Sequence, residues 1–311
     1  MDVLLLFPGQ GSQKPGMAKD LVAAFPAARD VFARADEALG TSLSTLCFDG
    51  PAEELTRTHN AQPALLAHGA ATWAVTREAL APLVRGGAGH SLGEFTAYHA
   101  AGALPLEDAV SLVRRRGELM YETGVARPGA MAAILGMLSR PIEEICAQAS
   151  AAGEVVAANY NTLEQVVISG EVGGVERAMS LASAAGAKRT LRLNVSGAFH
   201  SPLMAPAAAG LDAALSSARW SDPSYPIYNN VTATPIAASA SARDLLLRQL
   251  TSPVRWVQVV QAMASAFPGA LFVELGPGNV LTGLLKRLAP HCSAVACGTV
   301  AEVEALLAKV S

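Results

Sequence analysis

The stretch Gly89-His90-Ser91-Leu92-Gly93-Glu94 is the segment around which this chain is organised. Its G-x-S-x-G pattern is typical of a nucleophile elbow, a sharp turn from strand to helix that exposes a serine hydroxyl. The flanking glycines permit strained dihedral angles and a close approach of the neighbouring elements. An ordinary turn can show the same pattern in a chain rich in alanine and glycine. A nucleophile elbow is therefore supported only if the rest of the sequence provides the partners that a reactive Ser91 needs.

Composition limits the classes of function. The 311 residues are 51% hydrophobic and carry a formal net charge of −3, which argues against a nucleic-acid or membrane-surface partner. The start, Met1 to Leu6, lacks a basic segment and is predicted to be a first strand, not a signal peptide. We therefore expect a cytoplasmic protein. Its four cysteines lack zinc-site spacing and are expected to be reduced thiols: Cys47, Cys146, Cys292 and Cys297.

Strands alternating with helices predict a parallel sheet, with functional loops at the carboxyl ends of its strands. Val3–Phe7 and Leu271–Leu275 are apolar strands, whereas the strand before the elbow, 83–88, is interrupted by Arg85-Gly86-Gly87. Between residues 130 and 195 the predicted order is β-α-β-β-α-β, which indicates a ferredoxin-like insert. We expect a large domain at 1–126 and 198–311 and a small subdomain at 127–197.

A serine nucleophile requires a base, and His200 is the best placed of six histidines. It follows a predicted strand at 191–195 and precedes Ser201-Pro202, a plausible helix start. A helix-capping role is the alternative. His90 is expected to pack, and His99 lies too far along the helix that follows Ser91. No acid is singled out as a third member, and an amide or a backbone carbonyl could fix the imidazole tautomer instead.

Arg116 lies on the apolar side of a predicted helix. At 100° per residue it falls between Val113 and Met120, while Arg114 and Arg115 point away. A buried guanidinium is costly without a partner. An internal acid or a side chain reaching to water would explain it, and so would a bidentate clamp for a substrate carboxylate.

Two loops could hold an oxyanion. The amide of Leu92 follows the candidate nucleophile, and the loop Pro8-Gly9-Gln10-Gly11 ends the first strand. Neither phosphate-binding motif fits this loop, because Lys14 replaces a required glycine and Met17-Ala18 replace the Lys-Ser/Thr pair. Nucleotide binding is therefore not expected.

Taken together, these segments resemble the malonyl-CoA:acyl carrier protein transacylase family, which includes polyketide-synthase acyltransferases. The resemblance extends over nearly the whole chain. Its segments are FPGQGSQ (7–13), QPALLAH (62–68), GHSLGE (89–94), RRRG (114–117), AANYNTLEQVVISG (157–170), GAFHSPLM (197–204), YNNVTATP (228–235), LLRQLTSPVRW (246–256) and ELGPGNVLTGLLKRL (274–288). It implies an α/β-hydrolase-like large domain with a ferredoxin-like subdomain.

The resemblance also implies roles for single residues. Ser91 would be the acylated nucleophile and His200 its base, with Gln249 helping to orient the imidazole. The amides of Gln10 and Leu92 would form the oxyanion hole. The substrate-binding residues would be Arg116, which would hold the malonyl carboxylate, Gln62, which would line the pocket, and Phe199, which resembles the malonyl-selective form of its loop.

The expected reaction is a ping-pong transfer of malonyl from malonyl-CoA to the phosphopantetheine thiol of acyl carrier protein, in fatty-acid biosynthesis. It would need no metal or bound cofactor, no nucleic acid and no membrane, and a monomer would suffice. A polyketide-synthase acyltransferase acting in trans, a serine thioesterase or esterase, and a non-catalytic carrier-binding module are the alternatives. Two basic pairs could dock the acidic carrier or could equally be ordinary surface charge: Lys188 with Arg189, and Lys286 with Arg287.

Overall fold

The structure is a computed structural model that describes residues 1–195 and 197–310, so Ser196 and Ser311, both within the expected domain ranges, lie outside the described residues. The described backbone forms ten strands and fourteen α-helices. The strands are β1 Val3–Phe7, β2 Val84–Gly89, β3 Gly129–Leu135, β4 Val155–Thr162, β5 Gln165–Glu171, β6 Arg189–Arg192, β7 Ile227–Tyr228, β8 Pro235–Ile236, β9 Leu271–Leu275 and β10 Ser293–Cys297.

The helices connect these strands and cover the sheets. They are α1 Lys19–Ala24, α2 Pro26–Leu39, α3 Leu43–Asp49, α4 Ala52–Thr56, α5 Thr58–Leu80, α6 Gly93–Ala100, α7 Leu106–Ala126, α8 Ile142–Ala149, α9 Val172–Ala184, α10 Ala208–Ser217, α11 Ser239–Gln249, α12 Trp256–Ala266, α13 Val280–Leu288 and α14 Val300–Val310. Short 3₁₀ helices cover Ser150–Ala152 and Pro202–Ala207. No helix of the described chain is both long enough and apolar enough to cross a membrane.

The first sheet has six strands in the order β10-β9-β1-β2-β7-β8 and is parallel except for the β7–β8 pair. Its central strand β1 is buried at every residue, as expected for a strand covered on both faces. The carboxyl ends of β1 and β2 therefore lie side by side. They bring the loop that contains Gln10 next to the elbow.

Strand β2 spans Val84–Gly89 although it contains Arg85-Gly86-Gly87. The expected interruption is confined to an irregularity at Arg85, where the pairing with β1 shifts register between Val84 and Gly86. Backbone hydrogen bonding to β1 on one side and β7 on the other fixes the strand whatever its side chains are. The glycines also fit close neighbours, because a Cβ at Gly87 would lie 3.2 Å from the Ile227 side chain. Arg85 points to solvent and pairs with Asp2 at 3.0 Å.

The second sheet is antiparallel, with the order β4-β5-β3-β6. Its chain order, β3-α8-β4-β5-α9-β6, is the predicted β-α-β-β-α-β succession. Side chains alternate between faces along β3: Ala132 and Ile134 pack in the cluster that includes α8 and α9, whereas Met131 and Ala133 belong to the main core. One face of this sheet is thereby turned towards the elbow.

Two boundaries differ from the sequence-based expectation. The sequence of residues 17–39 predicts one helix, but the chain forms two, α1 and α2, separated at Phe25, whose backbone is extended because a proline follows it. The strand expected at 191–195 ends at Arg192, although the Leu193 amide still donates to the Met131 carbonyl. His200 therefore follows a longer connection than the pattern suggested.

Candidate active site

Ser91 lies at the turn between β2 and α6, with a positive φ of 52°. A residue other than glycine is strained in this region of φ, and the surroundings hold it there. A Cβ at Gly89 would overlap the Gly93 backbone, and a Cβ at Gly93 would overlap the Phe7 carbonyl. Two glycines are thus required on steric grounds for the elbow to pack against β1.

The backbone of the elbow is fixed by Asn230. Its Oδ1 accepts a hydrogen bond from the Ser91 amide at 2.7 Å, and its Nδ2 donates to the Gly89 carbonyl at 2.8 Å. Asn230 is fully buried just after β7. One side chain therefore bridges both ends of the turn that holds the strained serine.

The structure brings Ser91 and His200 together although 109 positions separate them. Ser91 Oγ lies 2.7 Å from His200 Nε2, and His200 Nδ1 lies 2.9 Å from the Gln249 carbonyl oxygen. Because a carbonyl can only accept, Nδ1 carries the proton and Nε2 is the free acceptor for the serine O–H. The group that orients His200 is thus a backbone carbonyl of Gln249, one of the options that the sequence left open.

Electrostatics keep this imidazole neutral. Burial lowers the pKa of His200 to about 3, and the positive charge of Arg116 contributes to the shift, whereas the hydrogen bond to the Gln249 carbonyl opposes it. A neutral imidazole with a free Nε2 can accept the serine proton. The arrangement is that of a nucleophile with its base.

Arg116 is 1% exposed, and the predicted separation from Arg114 and Arg115, which are not buried, is confirmed. Its Nη1 donates to Gln62 Oε1 at 2.7 Å, and its Nη2 donates to Gln249 Oε1 at 3.0 Å and to Ser91 Oγ at 3.3 Å. These acceptors are neutral oxygens, so the internal acid considered as a partner does not bind the guanidinium directly. Burial lowers the pKa of Arg116 to about 10, which leaves it charged at neutral pH.

A cavity of about 240 Å³ adjoins Ser91. The elbow and Arg116 form one wall, and the inward face of the second sheet forms the opposite wall. Its lining residues are Gln10, His90, Ser91, Leu92, Arg116, Met120, Met131, Ala133, Asn159, Asn161, Gln165, Val167, Leu193, Val195, Phe199 and His200. The site lies between the two sheets.

Of the other residues proposed from the sequence, Gln10, Leu92 and Phe199 line this cavity. Gln62 differs from the expectation, since it is 1% exposed and lies behind Arg116 instead of at the cavity wall. Its Nε2 donates to Thr58 Oγ1 at 3.0 Å, which leaves Oε1 for the guanidinium. Gln62 therefore supports Arg116.

Sequence reasoning missed three polar residues of the site. Glu94 is fully buried, and burial raises its pKa to about 7. Asn230 fixes the backbone of the elbow. Asn161 Oδ1 lies 2.8 Å from His90 Nε2, and both residues line the cavity. His90 also lies against Trp256, with ring centroids 5.5 Å apart, which agrees with the packing role expected for it. Only Glu94 had a local signal, as the acid that ends the elbow motif.

Comparison with known proteins agrees with this geometry. Residues 4–301 match the acyl transferase domain family. The chain is 46% identical over 288 residues to the malonyl CoA-acyl carrier protein transacylase of Bacillus subtilis strain 168, covering 92% of this chain and 90% of that protein.

Solved structures give the same result. The acyl-carrier-protein S-malonyltransferase of Bartonella henselae superposes with a TM-score of 0.95 at 41% identity, covering 100% of this chain and 99% of that one. A malonyl-transacylase in complex with a type II polyketide synthase acyl-carrier protein superposes with a TM-score of 0.94 at 40% identity, covering 99% and 100%.

Proposed function

This chain belongs to the malonyl-CoA:acyl carrier protein transacylase family of acyl transferases, and we propose that it moves malonyl groups from malonyl-CoA to acyl carrier protein. The observation that carries the proposal is the contact of the Ser91–His200 pair with a buried guanidinium. A nucleophile next to a buried guanidinium that donates to neutral oxygens suits an acyl group that ends in a carboxylate.

In the first half-reaction His200 Nε2 takes the proton of Ser91 Oγ as the oxygen attacks the thioester carbonyl carbon. The C–S bond then breaks, the CoA sulfur takes the proton from His200, and malonyl-Ser91 remains. The amides of Gln10 and Leu92 would hold the oxyanion. Both residues line the cavity beside Ser91, and Leu92 precedes helix α6, whose first amides have no acceptor within the helix.

Arg116 would bind the malonyl carboxylate. A guanidinium forms bidentate, charge-assisted hydrogen bonds with a carboxylate. In the site, both terminal nitrogens of Arg116 donate hydrogen bonds to neutral side-chain oxygens, those of Gln62 and Gln249. The same charge would exclude acyl chains that end in a methyl group, because these leave a buried cation without an anion. Phe199 contributes apolar surface to the same cavity.

In the second half-reaction the phosphopantetheine thiol of the carrier protein attacks malonyl-Ser91. His200 takes the thiol proton and returns a proton to Ser91 Oγ as the ester C–O bond breaks. The exposed residues Lys188, Arg189, Lys286 and Arg287 are available to an acidic carrier.

We also propose the finer description of the fold, an α/β-hydrolase-like domain at 1–126 and 198–311 with a ferredoxin-like subdomain at 127–197. The parallel sheet with an elbow and the strand order β4-β5-β3-β6 support it. A monomer without metal or bound cofactor would suffice, because one chain provides the base, the nucleophile and the carboxylate-binding group. The cytoplasmic location stays an expectation from the sequence.

A second pathway has a specific observation in its favour. The resemblance to a malonyl-transacylase in complex with a type II polyketide synthase acyl-carrier protein supports carrier proteins of polyketide synthesis as alternative acceptors to those of fatty-acid synthesis. A thioesterase or esterase would use Ser91 and His200 too, but it has no need for the buried Arg116. Transfer to holo-carrier protein, compared with release of free malonate, separates these enzymes.

The test is intact-mass analysis after incubation with malonyl-CoA. The wild type should gain one malonyl group, which is transferred when holo-acyl carrier protein is added, and Ser91→Ala should gain none. Ser201→Ala, a change at a nearby serine that bonds the Ala198 carbonyl, is the control and should still be acylated at Ser91. An adduct on the Ser91→Ala protein would move the nucleophile elsewhere.

A further inference from the structure

Glu94 is a fully buried acid directly behind the catalytic groups. Its Oε2 accepts hydrogen bonds from Gln249 Nε2 at 2.7 Å and from the Asn230 amide at 3.0 Å. Its Oε1 is buried and has no hydrogen-bond partner among the described residues. Burying a carboxylate in this way is costly, which suggests that Glu94 has a role in the site.

The Gln249 amide shows what the acid does. An amide can be turned by half a rotation to exchange its donor and acceptor ends. Here Nε2 faces Glu94 Oε2 and the Ser91 carbonyl, and Oε1 faces Arg116 Nη2. Since a carboxylate oxygen accepts, Glu94 favours the orientation that presents an acceptor to the guanidinium. The opposite orientation would set an NH₂ group against Arg116.

The second contact of Glu94 reaches the elbow. By accepting from the Asn230 backbone amide it fixes the residue whose side chain bridges the Ser91 amide and the Gly89 carbonyl. Oε2 thus joins the support of Arg116 to the support of the serine turn. Gln249 is also the residue whose carbonyl orients His200.

We propose that Glu94 is a positioning residue: its Oε2 sets the orientation of Gln249 and thereby the direction in which Arg116 presents its charge to the acyl group. The inference rests on the proposed malonyl transfer and adds a determinant of acyl selectivity to it. The proposal assigns the effect to the reach of Oε2, because both hydrogen bonds of Glu94 end on this oxygen and Oε1 has no partner among the described residues. The charge of Glu94 also acts on Arg116, so the test must separate reach from charge.

Two conservative variants separate reach from charge. Glu94→Gln can place its carbonyl oxygen where Oε2 lies and its NH₂ group where Oε1 lies, so both accepted hydrogen bonds survive. Glu94→Asp keeps the charge but withdraws the oxygens by one methylene. We expect the malonyl-over-acetyl ratio of kcat/KM for enzyme acylation to stay within about threefold of wild type in Glu94→Gln and to fall by about tenfold or more in Glu94→Asp.

Glu274 provides the matched control. It is equally buried, and its carboxylate accepts from the Leu281 and Thr282 amides at the start of α13, away from the cavity lining. Glu274→Asp should lower the melting temperature without changing the malonyl-over-acetyl ratio. Melting temperatures of all variants show whether a loss of selectivity merely follows a loss of folded protein.

Two results would overturn the proposed role of Glu94, and a third would refute the proposed function. A ratio that falls in Glu94→Gln but holds in Glu94→Asp would show that the charge acts as a counter-ion, and the proposal would be wrong. Unchanged ratios in both variants, whatever happens to stability, would leave Glu94 a structural residue only and would also overturn it. Absence of malonyl-enzyme in the wild type would instead refute the proposed function, so the two failures are distinguishable.

Discussion

Arg116 carries a full charge into a site where its hydrogen-bonding partners are neutral. Two amide oxygens and a hydroxyl oxygen accept from it, and the ring of Phe95 lies below the guanidinium at 5.3 Å. The Nε–H is buried without a partner among the described residues. A buried guanidinium with neutral hydrogen-bond partners is stabilised most by an acyl group that carries a negative charge.

Replacing Arg116 by alanine should therefore abolish acyl selectivity. A charge-assisted bidentate bond is worth roughly 1.5–3 kcal/mol, so the malonyl-over-acetyl ratio of kcat/KM should fall by about 10- to 200-fold. Arg115→Ala is the control, because Arg115 is exposed and pairs with Glu118 and Glu122, and it should keep the wild-type ratio. A wild-type ratio in Arg116→Ala would refute the clamp.

The low pKa of His200 predicts how kcat/KM for acylation responds as the pH falls. The imidazole must be neutral to act as a base, and its pKa of about 3 in the folded protein keeps it neutral well below pH 6.5. We expect kcat/KM for acylation to hold as the pH falls from 7 to about 5, since this parameter reports the free enzyme. Circular dichroism at each pH checks that the fold persists. A limb with a midpoint near 6.5 in folded enzyme would contradict the prediction.

The sequence predicts positions such as Ser91 and Arg116 because local patterns single them out: a glycine-flanked serine, and a charge on an apolar stripe. It does not predict Asn230, whose contact with Ser91 spans 139 positions. Nor does it distinguish the backbone carbonyl of Gln249 from its side chain as the partner of His200. Contacts of this kind depend on the folded backbone and leave no periodic trace in the chain.

At the level of elements, the elbow depends on glycine for space more than for flexibility. A Cβ at Gly89 would overlap backbone atoms of Gly93 that cannot move without displacing α6. The sequence motif predicts this turn correctly. The polar and glycine-rich start of β2 does produce an irregularity at Arg85, but pairing with β1 and β7 maintains the rest of the strand.

Gly89→Ala should consequently destabilise the protein by about 3 kcal/mol or more, since backbone overlap cannot be relieved by a change of rotamer. Gly283→Ala is the matched control: Gly283 lies within α13, and its Cβ would meet nothing within 4 Å. That change should stabilise the protein by roughly 0.5–1 kcal/mol, because alanine is the better helix former. Urea unfolding measures both. Equal effects of the two changes would contradict the steric account of the elbow.

At the level of the whole molecule, alternation of strands and helices predicts a parallel sheet and a second, antiparallel unit. It does not predict that the second sheet turns one face to the elbow. That placement comes from apolar residues such as Met131 and Val167, which join the main core and not the cluster beside α8 and α9. The cavity wall opposite Ser91 is therefore a tertiary feature that local patterns cannot reveal.

Buried neutral histidines link stability to pH across the molecule, and His68 offers the clearest test. It lies on α5, is 2% exposed, and its Nε2 donates to the Gly298 carbonyl at 2.8 Å, which ties α5 to the segment before α14. Burial lowers its pKa from 6.5 to about 4. Its other ring nitrogen, Nδ1, has no hydrogen-bond partner in the described chain.

His68 should destabilise the fold as the solution becomes acidic. Between pH 6.5 and about 4 the unfolded chain binds a proton at His68 that the folded protein does not, so the free energy of unfolding falls as the pH falls. The loss from this one group is on the order of 3 kcal/mol over the window.

His68→Gln keeps a donor for the Gly298 carbonyl and removes the titration of this residue. The contributions of the other ionisable groups cancel when the two proteins are compared. Urea unfolding at pH 7, 6, 5 and 4 should show His68→Gln gaining in stability relative to the wild type at each step. Parallel curves for wild type and His68→Gln would mean that the His68 ring can be protonated in the folded protein.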